Sequence, residues 1–255
     1  MISGEILSLF SLILMRMSGC VFMNPIFGRR NIPVMMRVGL TVMLSLAIMS
    51  FTDARMPAEI NSVLSLFVLM LMEFAVGYII GFVITLFSYA VTFGGEVMDL
   101  QLGISMSKVY DPASNVSLSL FATFFNTLYM LLFFAGSGHV TLIRLFLVSG
   151  NIVPYGMVSI GVNLYSHMLD LFCQCTVLAV KFMLPVIAIE ILIEMGMGLI
   201  MKAVPQINVF VINIQIKLFV GFMLIVMLYV PFSEFLEGLI TRMFDTLDSL
   251  LLIFN

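Results

Sequence analysis

The sequence predicts an all-α fold built of membrane-associated helical hairpins. Composition is the first ground: 62% of the residues are hydrophobic and only 10% are charged, where soluble domains carry about a quarter charged residues. With a mean hydropathy of +1.20, a bilayer or a large assembly must cover the apolar surface. The second ground is that long apolar segments alternate with short Gly, Pro and Asn punctuation. A final stretch with helical spacing is the third.

Six segments separate along the chain. The first runs from about Glu5 to Phe27 and stops at Gly28-Arg29-Arg30-Asn31. Glu5 stands where a secretory signal carries a basic residue, and Arg16 interrupts the run, so it reads as a structural helix. The second, Pro33 to Phe51, opens with a proline whose missing N–H costs nothing at a helix start. The third spans Glu59 to Leu100 and is followed by a loop over 103–115. The fourth covers Val116 to Ser149, the fifth Leu164 to Ala203, and the sixth Val209 to Phe232 after a turn at Pro205-Gln206-Ile207-Asn208. From Ser233 onward Leu236, Leu239, Ile240, Met243, Leu247, Leu250 and Leu251 repeat at helical spacing between Glu234, Glu237, Arg242, Asp245 and Asp248. That is an amphipathic helix, suited to an interface or a partner.

Basic residues flank the first, third and fifth connections (Arg29, Arg30, Arg37, Lys108, Lys202), which places those connections in the cytoplasm and both termini outside. A net charge of −3 without a basic cluster excludes nucleic acid as a partner. Cys20, Cys173 and Cys175 have no metal-ligand spacing and read as reduced, buried thiols; Cys173 and Cys175 point to different sides. No HExxH, GxSxG, P-loop or dinucleotide glycine pattern occurs, and His139 and His167 are the only histidines. Neither an enzyme nor a cofactor is expected. His139, in Gly136-Ser-Gly-His139, reads as a local hydrogen-bonding residue at a kink.

Charges stand inside nearly every segment: Arg16, Arg37, Glu73, Arg144, Lys181, Glu190, Glu194 and Lys217. Each costs roughly 2.5–3.5 kcal/mol at the centre of a membrane helix. They must be paired, turned inward, or held out of the bilayer. Helix-to-helix pairing in an assembly explains them better than an ion or solute pathway, because a transporter predicts an inverted internal repeat and none is visible. If the chain turns near Gln206, Glu194 lies twelve residues before it and Lys217 eleven after. Both then sit roughly 16–18 Å from the turn, and Lys217 should neutralise Glu194 or Glu190. Gly77-Tyr-Ile-Ile-Gly81 allows close helix contact, and Gly196 and Gly198 thin the fifth segment. Most of the 23 methionines read as core filler. The loop over 103–115 carries Gly103, Ile104, Ser105, Met106, Val109, Tyr110, Asp111 and Pro112. Gly103 can release the preceding helix and Asp111-Pro112 favours a turn. On these residues alone it reads as a connection that packs on neighbouring helices.

Four strings carry a family resemblance: PIFGRRNIPVMMRVGLTVMLSLAIM (25–49), GGEVMDLQLGISMSKVYDP (94–112), GSGHVTLIRLF (136–146) and LPVIAIEILIEMGMGLIMKAVPQINVF (184–210). In this order they resemble the FliR family of type III secretion export-gate proteins over almost the whole chain. Lys202 stands where the family usually has Arg, and Asn213-Ile214-Gln215 replaces its usual Gly-Phe-Pro, so the sixth helix should begin earlier and run straighter. The resemblance implies a FliP-like part over 1–163, a FliQ-like hairpin over 164–232 and the amphipathic helix over 233–255. It implies a non-enzymatic channel subunit in the bacterial inner membrane, at the flagellar basal body, passing unfolded flagellar export substrates. Implied partners are FliP-like and FliQ-like subunits, FlhB-like and FlhA-like components, and membrane lipid. The virulence-secretion counterpart shares the fold and stays open as an alternative. By the same resemblance the loop over 103–115 enters the channel as a plug, while Glu190, Glu194, Pro205, Gln206, Asn208 and Lys217 serve assembly and charge pairing.

Overall fold

The computed structural model describes residues 4–28, 32–51, 62–104, 109–111, 116–158, 161, 163–203 and 209–254. Over these residues the chain is all-α: α1 (Gly4–Phe22), α2 (Val34–Phe51), α3 (Val63–Gln101), α4 (Leu120–Ala135), α5 (Gly138–Ile152), α6 (Asn163–Ala203), α7 (Val209–Met227) and α8 (Tyr229–Ile253). One short antiparallel hairpin interrupts them, β1 (Val109–Asp111) against β2 (Val116–Leu118), with Val109 opposite Leu118 and Asp111 opposite Val116.

Helix lengths bear directly on the bilayer. Among the described residues α1, α2, α3 and α6 are each long and apolar enough to cross a membrane, and α4 with α5 and α7 with α8 form two bent pairs that qualify together. α3 has 39 residues and α6 has 41. At 1.5 Å per residue each is about 60 Å long, roughly twice the hydrocarbon thickness. Neither is a simple span.

The first segment ends as a helix at Phe22, not Phe27, and Val116–Leu118 is strand, so that the fourth begins as a helix at Leu120; two breaks also differ from the segments read in the sequence. The fourth segment divides at Gly136-Ser137, where Ser137 adopts a left-handed φ of 57°. His139 at this kink finds no hydrogen-bond partner for its buried Nδ1, contrary to expectation; its ring rests 5.4 Å from that of Phe134. The sixth segment ends at Met227, not Phe232, and the helix carrying the amphipathic tail starts at Tyr229. Pro231 explains the position of the break. It has no N–H to offer the carbonyl four residues back, and a helix tolerates it only in the first turn.

The chain divides into two compact units: Met1–Phe87 with Phe134–Leu171 and Ile240–Asn255, and Ser88–Phe133 with Phe172–Leu239. In the first, α1 crosses α3 at a contact of glycines. A Cβ on Gly77 would lie 2.0 Å from the Arg16 carbonyl oxygen, and one on Gly19 would lie 2.6 Å from that of Phe74. The backbones therefore touch, as close packing in membranes requires where burial of apolar surface gives no driving force. α2 packs on α1 and buries Thr41, Leu44, Ser45 and Ile48, the two hydroxyls bonding back to the carbonyls of Arg37 and Thr41. Its outer face presents Met35 (87% exposed) and Met43 (71%). An outer face this apolar suits an apolar surrounding.

The second unit is centred on aromatic rings. Phe125 is fully buried and meets Phe182 and Phe232 edge-on, with ring centroids 4.8 and 5.1 Å away. Such geometry adds about 0.5–1.5 kcal/mol per pair beyond area burial. Gly94 and Gly95 admit Phe182 and Ala122 against α3. α8 belongs to the second unit through Leu239 and to the first from Ile240; its predicted stripe is largely buried (Leu236 and Leu239 in the second, Met243, Leu247, Leu250 and Leu251 in the first), while Glu234, Glu237, Arg242, Asp245 and Asp248 are exposed. The cysteines are free thiols, but Cys173 is exposed instead of buried, on the opposite side of α6 from Cys175.

Candidate functional site: two charge clusters and a tethered loop

The ion pairs among the described residues fall in two clusters, one in each unit. In the first unit Arg16 of α1 and Glu73 of α3 are both fully buried, with Nε donating to Oε2 at 2.6 Å. Arg16 Nη1 donates to the carbonyls of Ser149 and Val153 at 3.2 and 3.0 Å. These carbonyls lie at the C-terminal end of α5, where the helix dipole is negative; that of Ser149 also accepts from the Val153 N–H at 2.9 Å. The other Glu73 oxygen accepts from the Gly156 N–H at 2.8 Å, and the Tyr155 ring lies 4.2 Å from the guanidinium carbon. Burial pushes the Tyr155 phenol up to about 12, so it stays neutral. A planar guanidinium with fixed donors suits such a closed site.

The second cluster belongs to α6, α7 and the end of α3. Lys217 Nζ pairs with Glu194 Oε1 and stands 4.0 Å from Glu190 Oε2. It also donates to the Gln101 carbonyl at 3.2 Å. Glu190 is fully buried and neither of its oxygens receives a hydrogen bond, whereas the Glu194 side chain is half exposed.

The loop leaving α3 has two attachments in this unit. Asp99 accepts from the Ser119 hydroxyl and from the Phe121 N–H, the latter at 3.2 Å, and so caps the start of α4 from the preceding helix. Leu102 is fully buried against Gly221, where a Cβ would lie 2.3 Å from Leu102 Cδ2. Gly103 then turns the chain with a φ of +73°, open to a glycine at little cost.

Glu190, Glu194 and Lys217 are thus brought together. Gly103 and Ile104 follow α3 directly, and Val109, Tyr110 and Asp111 form β1. Ser105, Met106, Pro112, Pro205, Gln206 and Asn208 lie outside the described residues. Sequence reasoning missed Asp99, Ser119, Ser149 and Tyr155. Asp99 and Ser119 had a readable signal, a carboxylate near one helix end and a serine just before the next. Tyr155 had none. Among the described residues no group of three or more His, Cys, Asp or Glu is placed to hold a metal.

These features define a polytopic helical membrane protein whose interior charges are held by other helices. The chain belongs to the bacterial export proteins, family 1, which match residues 7–243. It is similar to the flagellar biosynthetic protein FliR of Escherichia coli K12, 28% identical over 247 residues that cover 96% of this chain and 93% of that protein. The FliR of Bacillus subtilis 168 is 25% identical, covering 95% and 94%. The surface presentation of antigens protein SpaR of Shigella sonnei is 30% identical over 58% of this chain and 57% of its own length.

Proposed function

We propose that this chain is a non-enzymatic channel subunit of a type III protein export gate, serving the flagellar system in the bacterial inner membrane. The observation that carries the reading is the similarity to two FliR proteins over nearly their full lengths. A virulence-system role is the second reading; SpaR supports it through a match over little more than half of each chain. Unfolded flagellar subunits are the proposed cargo, and FliP-like, FliQ-like, FlhB-like and FlhA-like proteins the proposed partners. The FliP-like part is assigned to 1–163, and the FliQ-like hairpin to 164–232, which carries Glu190, Glu194, Pro205, Gln206, Asn208 and Lys217 as assembly residues.

Two physical features support a gate subunit over a self-contained transporter. α3 and α6 are about twice as long as the hydrocarbon core is thick. Arg144 and Lys181 are exposed on α5 and α6, a costly arrangement in lipid that neighbouring subunits would relieve. The loop over 103–115 is assigned the role of plug on the family resemblance. Deleting Ser105 to Tyr110 should leave the complex assembled but let ions leak through the membrane when no cargo passes. Normal export with no added leak would remove the loop from the gate. A purified, well-behaved monomer that moves a small solute in liposomes would overturn the whole reading.

A further inference from the structure

We propose that Lys217 and Gly221, one turn apart on α7, are positioning residues that set where the loop leaving α3 begins. The geometry supplies two independent holds on consecutive residues. Lys217 takes the Gln101 carbonyl at 3.2 Å, one of the terminal acceptors that a helix cannot satisfy itself. The next residue, Leu102, is fully buried over Gly221, where even a methyl group would stand 2.3 Å from Leu102 Cδ2. Gly103 turns immediately afterwards, with nothing within 4 Å of its would-be Cβ. The direction in which the chain departs is therefore decided at 101 and 102, by α7.

The far end of the loop is secured differently. Asp99 sits on α3 itself and binds Ser119 and the Phe121 N–H, so it ties the two ends of the loop to each other. Lys217 and Gly221 instead tie the α3 end to the α6–α7 hairpin. Lys217 is also shared. It pairs with Glu194 and stands 4.0 Å from Glu190, whose buried oxygens receive no hydrogen bond. A shift of the ammonium toward Glu190 would satisfy that carboxylate and release the Gln101 carbonyl. The hairpin charges and the loop base are linked through one side chain.

The geometry stands without the plug reading; only a consequence for ion leak rests on it. The test uses the purified, assembled complex with Cys20, Cys173 and Cys175 replaced by alanine, and Ile104→Cys as the probe for a maleimide. Gly221→Ala and Lys217→Met should each speed labelling by about fivefold or more through local opening. The pair Leu102→Ala with Gly221→Ala should return the rate toward that of the parent, because the new methyl fills the vacated seat. If Gly221→Ala fails to assemble, Leu102→Ala alone empties the seat without adding bulk and should also speed labelling. Unchanged rates in assembled Lys217→Met and Leu102→Ala complexes would overturn the proposal. These rates do not depend on whether deleting Ser105 to Tyr110 causes a leak, so failure of the plug reading and failure of this one are distinguishable.

Discussion

The two buried cations solve the same problem in opposite ways. Arg16 meets one fully buried carboxylate and two helix-end carbonyls, and the second oxygen of that carboxylate has its own donor in Gly156. Lys217 meets two carboxylates, one fully buried without a donor and one half exposed, together with a carbonyl at the foot of a loop. The first site is saturated by its own unit, apart from the Nη2 of Arg16. The second leaves an acceptor over and uses a flexible point charge. A closed pair fixes helices; a shared ammonium can change partners.

The largest effect should come from breaking the closed pair. Glu73→Leu leaves Arg16 without a counter-charge at a fully buried position, a loss of about 3–5 kcal/mol. It should appear as a sharp fall in the thermal midpoint of the complex in detergent. The double variant Arg16→Met with Glu73→Leu should lose less than either single change. A double variant worse than both would mean that the pair contributes more than neutrality.

Next comes the backbone contact beside it. Gly77→Ala places a methyl 2.0 Å from the Arg16 carbonyl oxygen and should cost about 1–3 kcal/mol by overpacking. Gly196→Ala, which meets nothing within 4 Å in this chain, should be neutral or gain up to about 1 kcal/mol of helix propensity. Comparable losses at both positions, measured in the isolated chain, would show that a glycine's conformation and not its contact is what matters. In the assembled complex, a loss confined to Gly196→Ala would mark that face as a subunit contact.

The most unequal effects belong to the open cluster. Lys217→Met should cost about 1–3 kcal/mol, since Glu190 and the Gln101 carbonyl both lose their neighbour. Glu194→Gln, at a half-exposed side chain, should cost about 0–1 kcal/mol. Exchanging Lys217 and Glu194 should retain more assembled complex than either reversal alone. Equal failure of single and exchanged variants would point to a wider charge network.

What the sequence reveals follows from range. Segment boundaries are local, and Pro33 marks one well, but the Gly136-Ser-Gly break lies inside an apolar stretch that reads as one segment. The pairing of Glu194 with Lys217 needs only a hairpin and a count of residues. Arg16 with Glu73 is separated by 57 residues, and nothing local says which of eight internal charges meet. The break at Leu228 stayed hidden because the tail was delimited by its charges, which begin at Glu234, whereas the operative residue was Pro231. Tyr155 and Ser149 act through a ring face and a backbone carbonyl, roles that leave no pattern in a string of letters. The β1–β2 pairing joins two three-residue runs, too short to show a period.

The Arg16–Glu73 pair also dictates an order of events during synthesis. Arg16 leaves the ribosome 57 residues before Glu73 and 133 before Ser149. At about 5–20 residues per second, the guanidinium waits about 3–11 s for its carboxylate and about 7–27 s for its first helix-end carbonyl. Throughout that interval α1 carries an unmatched charge, which the hydrocarbon core penalises by roughly 2.5–3.5 kcal/mol. Insertion of the first helix is therefore less favourable by that amount until α3 has been made, the apolar residues of α1 offsetting the cost.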